Sequence, residues 1–213
     1  MIYYSIIEGA LTVEIFKFYP KDYVGSNSYI IRDGLEAAII DPSVGYGELS
    51  SLVSTCRVRY ILLTHCHYDH FRQIDEWVER TGAEVVIGEH DRAGLSSSIV
   101  NCYRRFLGRD DGYFGRATGV PEGTTLPLGD SSIRVISTPG HTAGGVTYLV
   151  DGAAFVGDTV FAGGYWGRCD LPGGDEATLF SSVRRLCTLP DGITVYPGHG
   201  EDTTTDELKK NFN

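Results

Sequence analysis

Short apolar runs rich in β-branched and aromatic residues alternate along the chain with stretches of helical period. The runs at 28–32, 37–40, 60–63, 83–87, 133–137, 146–150, 153–156 and 193–196 predict strands. Between them, Leu49, Leu52, Val53 and Cys56 recur at helical spacing and predict one helix. Phe71, Ile74, Trp77 and Val78 form a second stripe, and Leu179, Val183, Leu186 and Cys187 a third. Asp175, following Gly173 and Gly174, is a start signal for the third helix, and Pro190 is its stop. Strands alternating with helices predict an α/β fold whose core is built from these stripes. No Pro/Ser-rich spacer, charge block or low-complexity tract divides the 213 residues, so a single domain over 1–213 is expected. The glycine-dense stretches 112–123 and 163–174 predict two long loops, which in compact domains often carry function.

Composition narrows the partners. At 42% hydrophobic the chain can bury a sizeable core. A net charge of −10 disfavours nucleic acid, whose binding needs phosphate charge cancelled, and an anionic membrane surface. No apolar run approaches the roughly 20 residues of a membrane span. Residues 1–8 lack a basic start, and Glu8 and Glu14 interrupt any apolar core of a leader, so no signal peptide is expected. Five cysteines (56, 66, 102, 169 and 187) without a C-x-x-C pair fit reduced thiols and a cytoplasmic location.

The chemistry is concentrated in a few places. Of six histidines, three fall in His65-Cys66-His67-Tyr68-Asp69-His70, immediately after the predicted strand 60–63. Imidazole and carboxylate at this density suit a divalent ion of borderline softness. In an extended segment residues 65 and 67 point the same way and can chelate one ion, while Asp69 and His70, past the bend, can face a second. Cys66 then points away and packs. Further candidates follow other strands: His141 in Thr138-Pro-Gly-His-Thr142, Asp158 in Gly157-Asp-Thr159, and His199 in Tyr196-Pro-Gly-His-Gly200. Each alone reads as a turn residue. Together they make five His and two Asp, enough for two ions with a carboxylate between them. His90 has no such neighbours and reads as a surface or packing residue.

The series H-x-H-x-D-H, T-P-G-H-T, G-D-T and P-G-H-G, in that order, resembles the metallo-β-lactamase superfamily. Gly157-Asp-Thr-Val-Phe161, Gly167-Arg-Cys-Asp-Leu-Pro-Gly-Gly174 and Val195-Tyr-Pro-Gly-His-Gly-Glu-Asp-Thr203 resemble more narrowly its glyoxalase II-like, or hydroxyacylglutathione hydrolase-like, branch. Residues 27–31 and 39–42 match that branch's opening strands and 203–211 its close, so the likeness spans nearly the whole chain. The resemblance implies a four-layer αβ/βα sandwich with the metals at one edge of the two sheets. It assigns one ion to His65, His67 and His141 and a second to Asp69, His70 and His199. Asp158 bridges them, and Asp69 is also read as a catalytic carboxylate. Asp41 takes the place of a strand-end aspartate that braces the H-x-H-x-D-H loop. Zinc is the expected metal, with iron and manganese as alternatives.

Three departures bear on substrate. Phe71-Arg72-Gln73 stand where small residues are usual, and Cys169 stands where threonine is common. The helical domain that grips glutathione in glyoxalase II has no counterpart before residue 213, from which weak substrate selectivity is expected. Arg168, and Arg104 and Arg105 in the arginine-rich stretch 91–116, are candidates to receive an anionic substrate, although Asp170 can pair with Arg168 internally. The expected reaction is hydrolysis of a small anionic thioester such as S-lactoylglutathione by a metal-bridging hydroxide. A thiolate leaves without a general acid, since its conjugate acid has a pKa near roughly 8.5. The alternatives are a mononuclear iron persulfide dioxygenase, a lactone hydrolase and a non-catalytic metal-binding scaffold. β-Lactam hydrolysis ranks lower, because the commonest zinc β-lactamases carry cysteine at the position of Asp158.

Overall fold

The computed structural model describes residues 13–22 and 24–212; the leader reading of residues 1–8 lies outside them. Two six-stranded sheets dominate. The first runs β1 (Glu14–Phe18), β2 (Ser28–Asp33), β3 (Glu36–Ile40), β4 (Arg57–Leu63), β5 (Glu84–Gly88), β6 (Thr118–Val120) in spatial as in chain order. Its first three strands pair antiparallel and the rest parallel. Helices α1 (Tyr46–Val53) and α2 (Ile74–Thr81) make the crossovers that parallel pairing demands.

The second sheet is assembled from later strands: β7 (Thr125–Leu128), β8 (Ser131–Ser137), β9 (Val146–Val150), β10 (Ala153–Gly157), β13 (Thr194–Pro197) and β14 (Thr203–Thr204). All its pairs are antiparallel except β10 with β13, which are joined through α4 (Glu176–Leu186). A small hairpin of β11 (Val160–Phe161) and β12 (Tyr165–Trp166) stands apart, and α3 (Tyr103–Leu107) and α5 (Thr205–Phe212) complete the described elements.

Strand alternation builds the layers. On β4, Ile61 and Leu63 face α1 and α2 with Leu49, Val53, Ile74 and Trp77, while Tyr60 and Leu62 face the other sheet. Between the sheets these meet Tyr148, Phe155 and Tyr196. On the far side, Ala154, Val156 and Val195 pack under Val183 and Leu186 of α4 and Leu208 of α5. Three apolar interfaces separate four layers, helix–sheet–sheet–helix, which is the αβ/βα sandwich. Among the described residues no helix is long and apolar enough to cross a membrane.

The elements differ from the sequence expectation in particular places. Cys56 follows the end of α1, and Phe71 precedes α2. Stretch 112–123 contains β6, and 163–174 contains β12, so neither is loop throughout. The apolar pattern does not mark β1, β6, β7, β11, β12, β14, α3 or α5. β7 holds a proline on an exposed edge, and α5 buries only Thr205 and Leu208, too few positions to show a period. Asp175 does start α4, accepting a hydrogen bond from the Thr178 N–H at 2.8 Å.

Candidate metal centre

Five loops at strand ends converge on one edge of the sandwich. Asp41 follows β3, residues 64–70 follow β4, His141 follows β8, Asp158 follows β10 and His199 follows β13. Cys66 is fully buried in the helix-side core, which turns His65 and His67 the other way. A 3-10 turn at Tyr68–His70 then swings Asp69 and His70 around to the same side. The glycine of the second Pro-Gly-His turn has a steric reason: a Cβ on Gly198 would lie 2.2 Å from Asp158 Oδ1 and 2.6 Å from His70 Cε1. At Gly140, with φ +122°, a Cβ would strike the backbone of Leu179 at 2.1 Å.

All seven candidate ligands come together. His67 Nδ1 lies 3.1 Å from His65 Nε2 and 2.9 Å from His141 Nε2. Asp69 Oδ2 lies 3.2 Å from His199 Nε2 and 3.6 Å from His70 Nε2. Asp158 sits between the two groups: Oδ1 is 3.4 Å from His70 Nε2, and Oδ2 is 3.6 Å from both His141 and His199 Nε2. Three sets of candidate ligand atoms fall within 4.8 Å of one another: His65 with His67 and His141, Asp69 with His70 and His199, and His65 with His70 and Asp158. His90 is far more exposed, with its side chain 74% open, and pairs with Glu89.

The hydrogen bonds behind the histidines assign their free lone pairs. The Arg168 carbonyl only accepts, so His141 Nδ1, at 2.7 Å, carries the proton and Nε2 is left bare. Thr64 Oγ1 donates to Asp41 Oδ2 at 2.7 Å and can therefore only accept from His65 Nδ1 at 3.1 Å, which bares His65 Nε2. His70 Nδ1 donates to Asp41 Oδ2 at 2.8 Å. His70 Nε2 and Asp158 Oδ1 are buried with no hydrogen-bond partner, as is His67 Nε2. Bare nitrogens aimed at one another and an orphaned carboxylate oxygen are costly unless a cation lies between them. The donor set, neutral imidazole and carboxylate, fits a pair of divalent metal ions.

Protonation agrees with that chemistry. Burial depresses His65 well below the ordinary histidine range and His67 to about 3, so both are neutral ligands at neutral pH. Burial would raise Asp158, but His199, His70 and His141 outweigh it and hold the carboxyl well below its usual range. Asp69 is lowered in the same way, by His70 and His199 against burial. For His70 burial opposes charge, yet Asp41, Asp69 and Asp158 push its pKa well up. Asp41 holds Nδ1, while Asp69 and Asp158 face Nε2 and would favour a metal cation there as they favour a proton.

Asp41 is 1% exposed and accepts from the Thr64 N–H, the Thr64 hydroxyl and His70 Nδ1, tying both ends of the 64–70 loop to β3. Asp91, counted in the sequence only as a charge among arginines, plays a comparable part. It is buried and accepts from the Cys66 N–H at 2.9 Å and the Gly144 N–H at 2.6 Å, joining the loop of His65 and His67 to the loop of His141. Its partners lie 25 and 53 residues away, so no local pattern marks it. Asp91→Ala orphans two buried donors and is expected to cost about 2 to 4 kcal/mol, with Asp91→Asn milder, by urea unfolding of metal-free protein.

A cleft of about 400 Å³ opens over Asp69, His67, His141, Asp158 and His199. Arg168 lines it, with its guanidinium held at 2.7 Å by each oxygen of Asp170. Arg104 and Arg105 are exposed on α3, paired with Asp110 at 2.5 Å and Asp170 at 3.7 Å. Phe71, Arg72 and Gln73 do not line this cleft: Phe71 is in the core and Arg72 pairs with Asp22 outside it. Cys169 Sγ is 3.6 Å from the Gly167 carbonyl.

The comparisons with known proteins converge on one family. A profile described as metallo-beta-lactamase superfamily matches residues 22–199. A probable metallo-hydrolase of Burkholderia pseudomallei is 34% identical, across 86% of this chain and 75% of its own. Hydroxyacylglutathione hydrolase GloC of Haemophilus influenzae is 33% identical, across 86% and 89%. Among solved structures, the B3 metallo-beta-lactamase BLEG-1 superposes with a TM-score of 0.84 at 28% identity, covering 92% of this chain and 96% of its own. TTHA1623 in a di-iron-bound form gives 0.76 at 30% identity, covering 92% and 98%.

Proposed function

The chain belongs to the metallo-beta-lactamase superfamily, and from that premise we propose that it is a dinuclear metal-dependent thioester hydrolase of the glyoxalase II-like branch, acting on substrates such as S-lactoylglutathione. The observation that carries this reading is Asp158, whose two oxygens face His70 on one side and His141 and His199 on the other. His65, His67 and His141 would hold one ion and Asp69, His70 and His199 the other, with Asp158 shared. Zinc suits these ligands, and the di-iron form of the similar TTHA1623 keeps iron as the alternative. When bound, such a pair polarises an acyl oxygen and acidifies water at neutral pH.

The chain's own residues do the rest. Asp41 and the Arg168 carbonyl fix the ring orientations of His70 and His141. Asp69, ionised and lining the cleft, would hold an ion through Oδ2 beside His70 and His199, which leaves its other oxygen as the candidate to take the proton that water gives up. The thiolate needs no protonation to leave. Five free cysteines support a reducing, cytoplasmic setting.

The similarity to BLEG-1 favours β-lactam opening as a second reading. Thiol release from S-lactoylglutathione and small thioesters, compared with opening of a chromogenic cephalosporin, separates the two. The proposal expects metal-dependent thiol release that chelation abolishes. A cephalosporin opened faster than any thioester, or oxygen uptake with glutathione persulfide and no thiol release, would overturn it.

A further inference from the structure

One wall of the cleft is apolar where the fold has no need of it. Val24, Phe106 and Leu107 are 42%, 46% and 43% exposed, and all three line the cleft together with the buried Tyr68 and Leu171. Phe106 and Leu107 end α3, a helix anchored by a different residue: Tyr103 is buried and packs against Tyr68 and Phe71 with ring centroids 5.1 and 6.0 Å away. Phe106 itself touches only the edge of that cluster, 6.1 Å from Tyr68, and otherwise faces the cleft. Half-exposed apolar side chains gathered at the mouth of a reactive site mark a binding surface.

The charged groups around this wall are engaged with one another. Asp170 takes both Arg168 and Arg105, and Asp110 takes Arg104. The guanidiniums of Arg168 and Arg105 lie 5.8 and 5.9 Å from the Phe106 ring, which fixes the ring at the cleft edge. The surface next to the histidines is therefore mostly apolar: Arg168, already paired with Asp170, also lines it, while Arg104, Arg105 and Asp110 lie outside it. S-Lactoylglutathione carries a short hydroxylated acyl group that would leave this wall uncovered.

Resting on the thioesterase reading above, we propose that Val24, Tyr68, Phe106, Leu107 and Leu171 form an acyl pocket, and that the preferred substrates are thioesters of apolar acyl groups. The apolar part belongs on the acyl side because biological thiol carriers are polar and depart toward solvent. Hydrolysis breaks the acyl carbon–sulfur bond, water supplies the new carbon–oxygen bond, and a carboxylate and a thiol leave.

The test is a series of acetyl, butyryl, hexanoyl and octanoyl thioesters of one uncharged thiol, N-acetylcysteamine, with the zinc-loaded protein. Each methylene that enters the pocket is expected to raise kcat/KM roughly two- to fourfold up to hexanoyl. Phe106→Ser and, separately, Leu107→Ser should flatten the series, whereas Ile99→Ser, 57% exposed and outside the cleft, should leave it intact. A second readout needs no catalysis: the inert thioether S-hexyl-N-acetylcysteamine should bind metal-stripped protein at least tenfold more tightly than its S-methyl counterpart. Thiol release at rates independent of chain length, with no preference between the thioethers, would overturn the acyl pocket and leave the hydrolase standing. Tight hexyl binding without thiol release from any thioester would keep an apolar pocket but overturn the thioesterase on which the proposal rests.

Discussion

Asp158→Ala is expected to lose roughly a thousandfold or more in kcat/KM for any thioester the protein hydrolyses, while its metal-free form melts within a few degrees of the parent. The two halves of this result have different causes. Among the described residues Asp158 is the one carboxylate within 3.6 Å of His70, His141 and His199 together, so its loss would remove the ligand that the proposed centre shares between its two ions. Removing a supporting hydrogen bond behind a ligand costs about 10- to 100-fold, and removing a group that itself stabilises the transition state reaches about 10³-fold. Stability responds differently because Oδ1 is buried without a partner in the metal-free chain. Little hydrogen bonding is lost there, so a change of about 1 kcal/mol, or 2 to 4 °C, is expected. His90→Ala, at an exposed site, should alter neither quantity. Paired kinetics and thermal melts check both halves.

Asp41→Ala is expected to show the opposite profile, a fold defect first, with about 3 to 5 kcal/mol lost. The carboxylate is buried and receives the Thr64 N–H, the Thr64 hydroxyl and His70 Nδ1. Alanine leaves all three donors orphaned beside a charged cluster. The backbone adds to the cost, because residue 41 sits at φ +50°, a region that Asp and Asn tolerate and Ala does not. Asp41→Asn keeps that conformation and one acceptor oxygen, so it should lose distinctly less. Urea unfolding of the metal-free proteins orders the three: parent, Asn, then Ala. If Asn and Ala were equally destabilised, the neutral acceptor and the backbone tolerance would both be irrelevant at this position.

What the sequence showed and what it hid follow from the range of the interactions involved. The H-x-H-x-D-H cluster was legible because its spacing alone, on a turn after an apolar strand, puts alternate side chains on one side. Asp158, His141 and His199 were legible through short motifs after strands, although the steric reason for a glycine such as Gly198, the approach of Asp158 and His70, is itself long-range. α4 was legible through its cap, Asp175. Lys17 was not: it is buried in β1, donating to the Gly200 carbonyl at 2.8 Å and to Asp202, partners more than 180 residues away. Asp91 was hidden for the same reason. The arginines of 91–116 suggested an anion-binding wall, yet the structure pairs Arg104 and Arg105 with carboxylates and puts Phe106 and Leu107 in the cleft. Composition counts charges but does not reveal which of them cancel across a fold.

Anomalous scattering from crystals of the metal-loaded protein shows whether two ions share Asp158. Data on either side of the zinc and iron absorption edges should show two peaks of comparable height. One should lie among His65, His67 and His141, the other among Asp69, His70 and His199, and both within coordination distance of Asp158. A single well-occupied peak among His65, His67 and His141, with Asp69, His70 and His199 unliganded, would contradict the account.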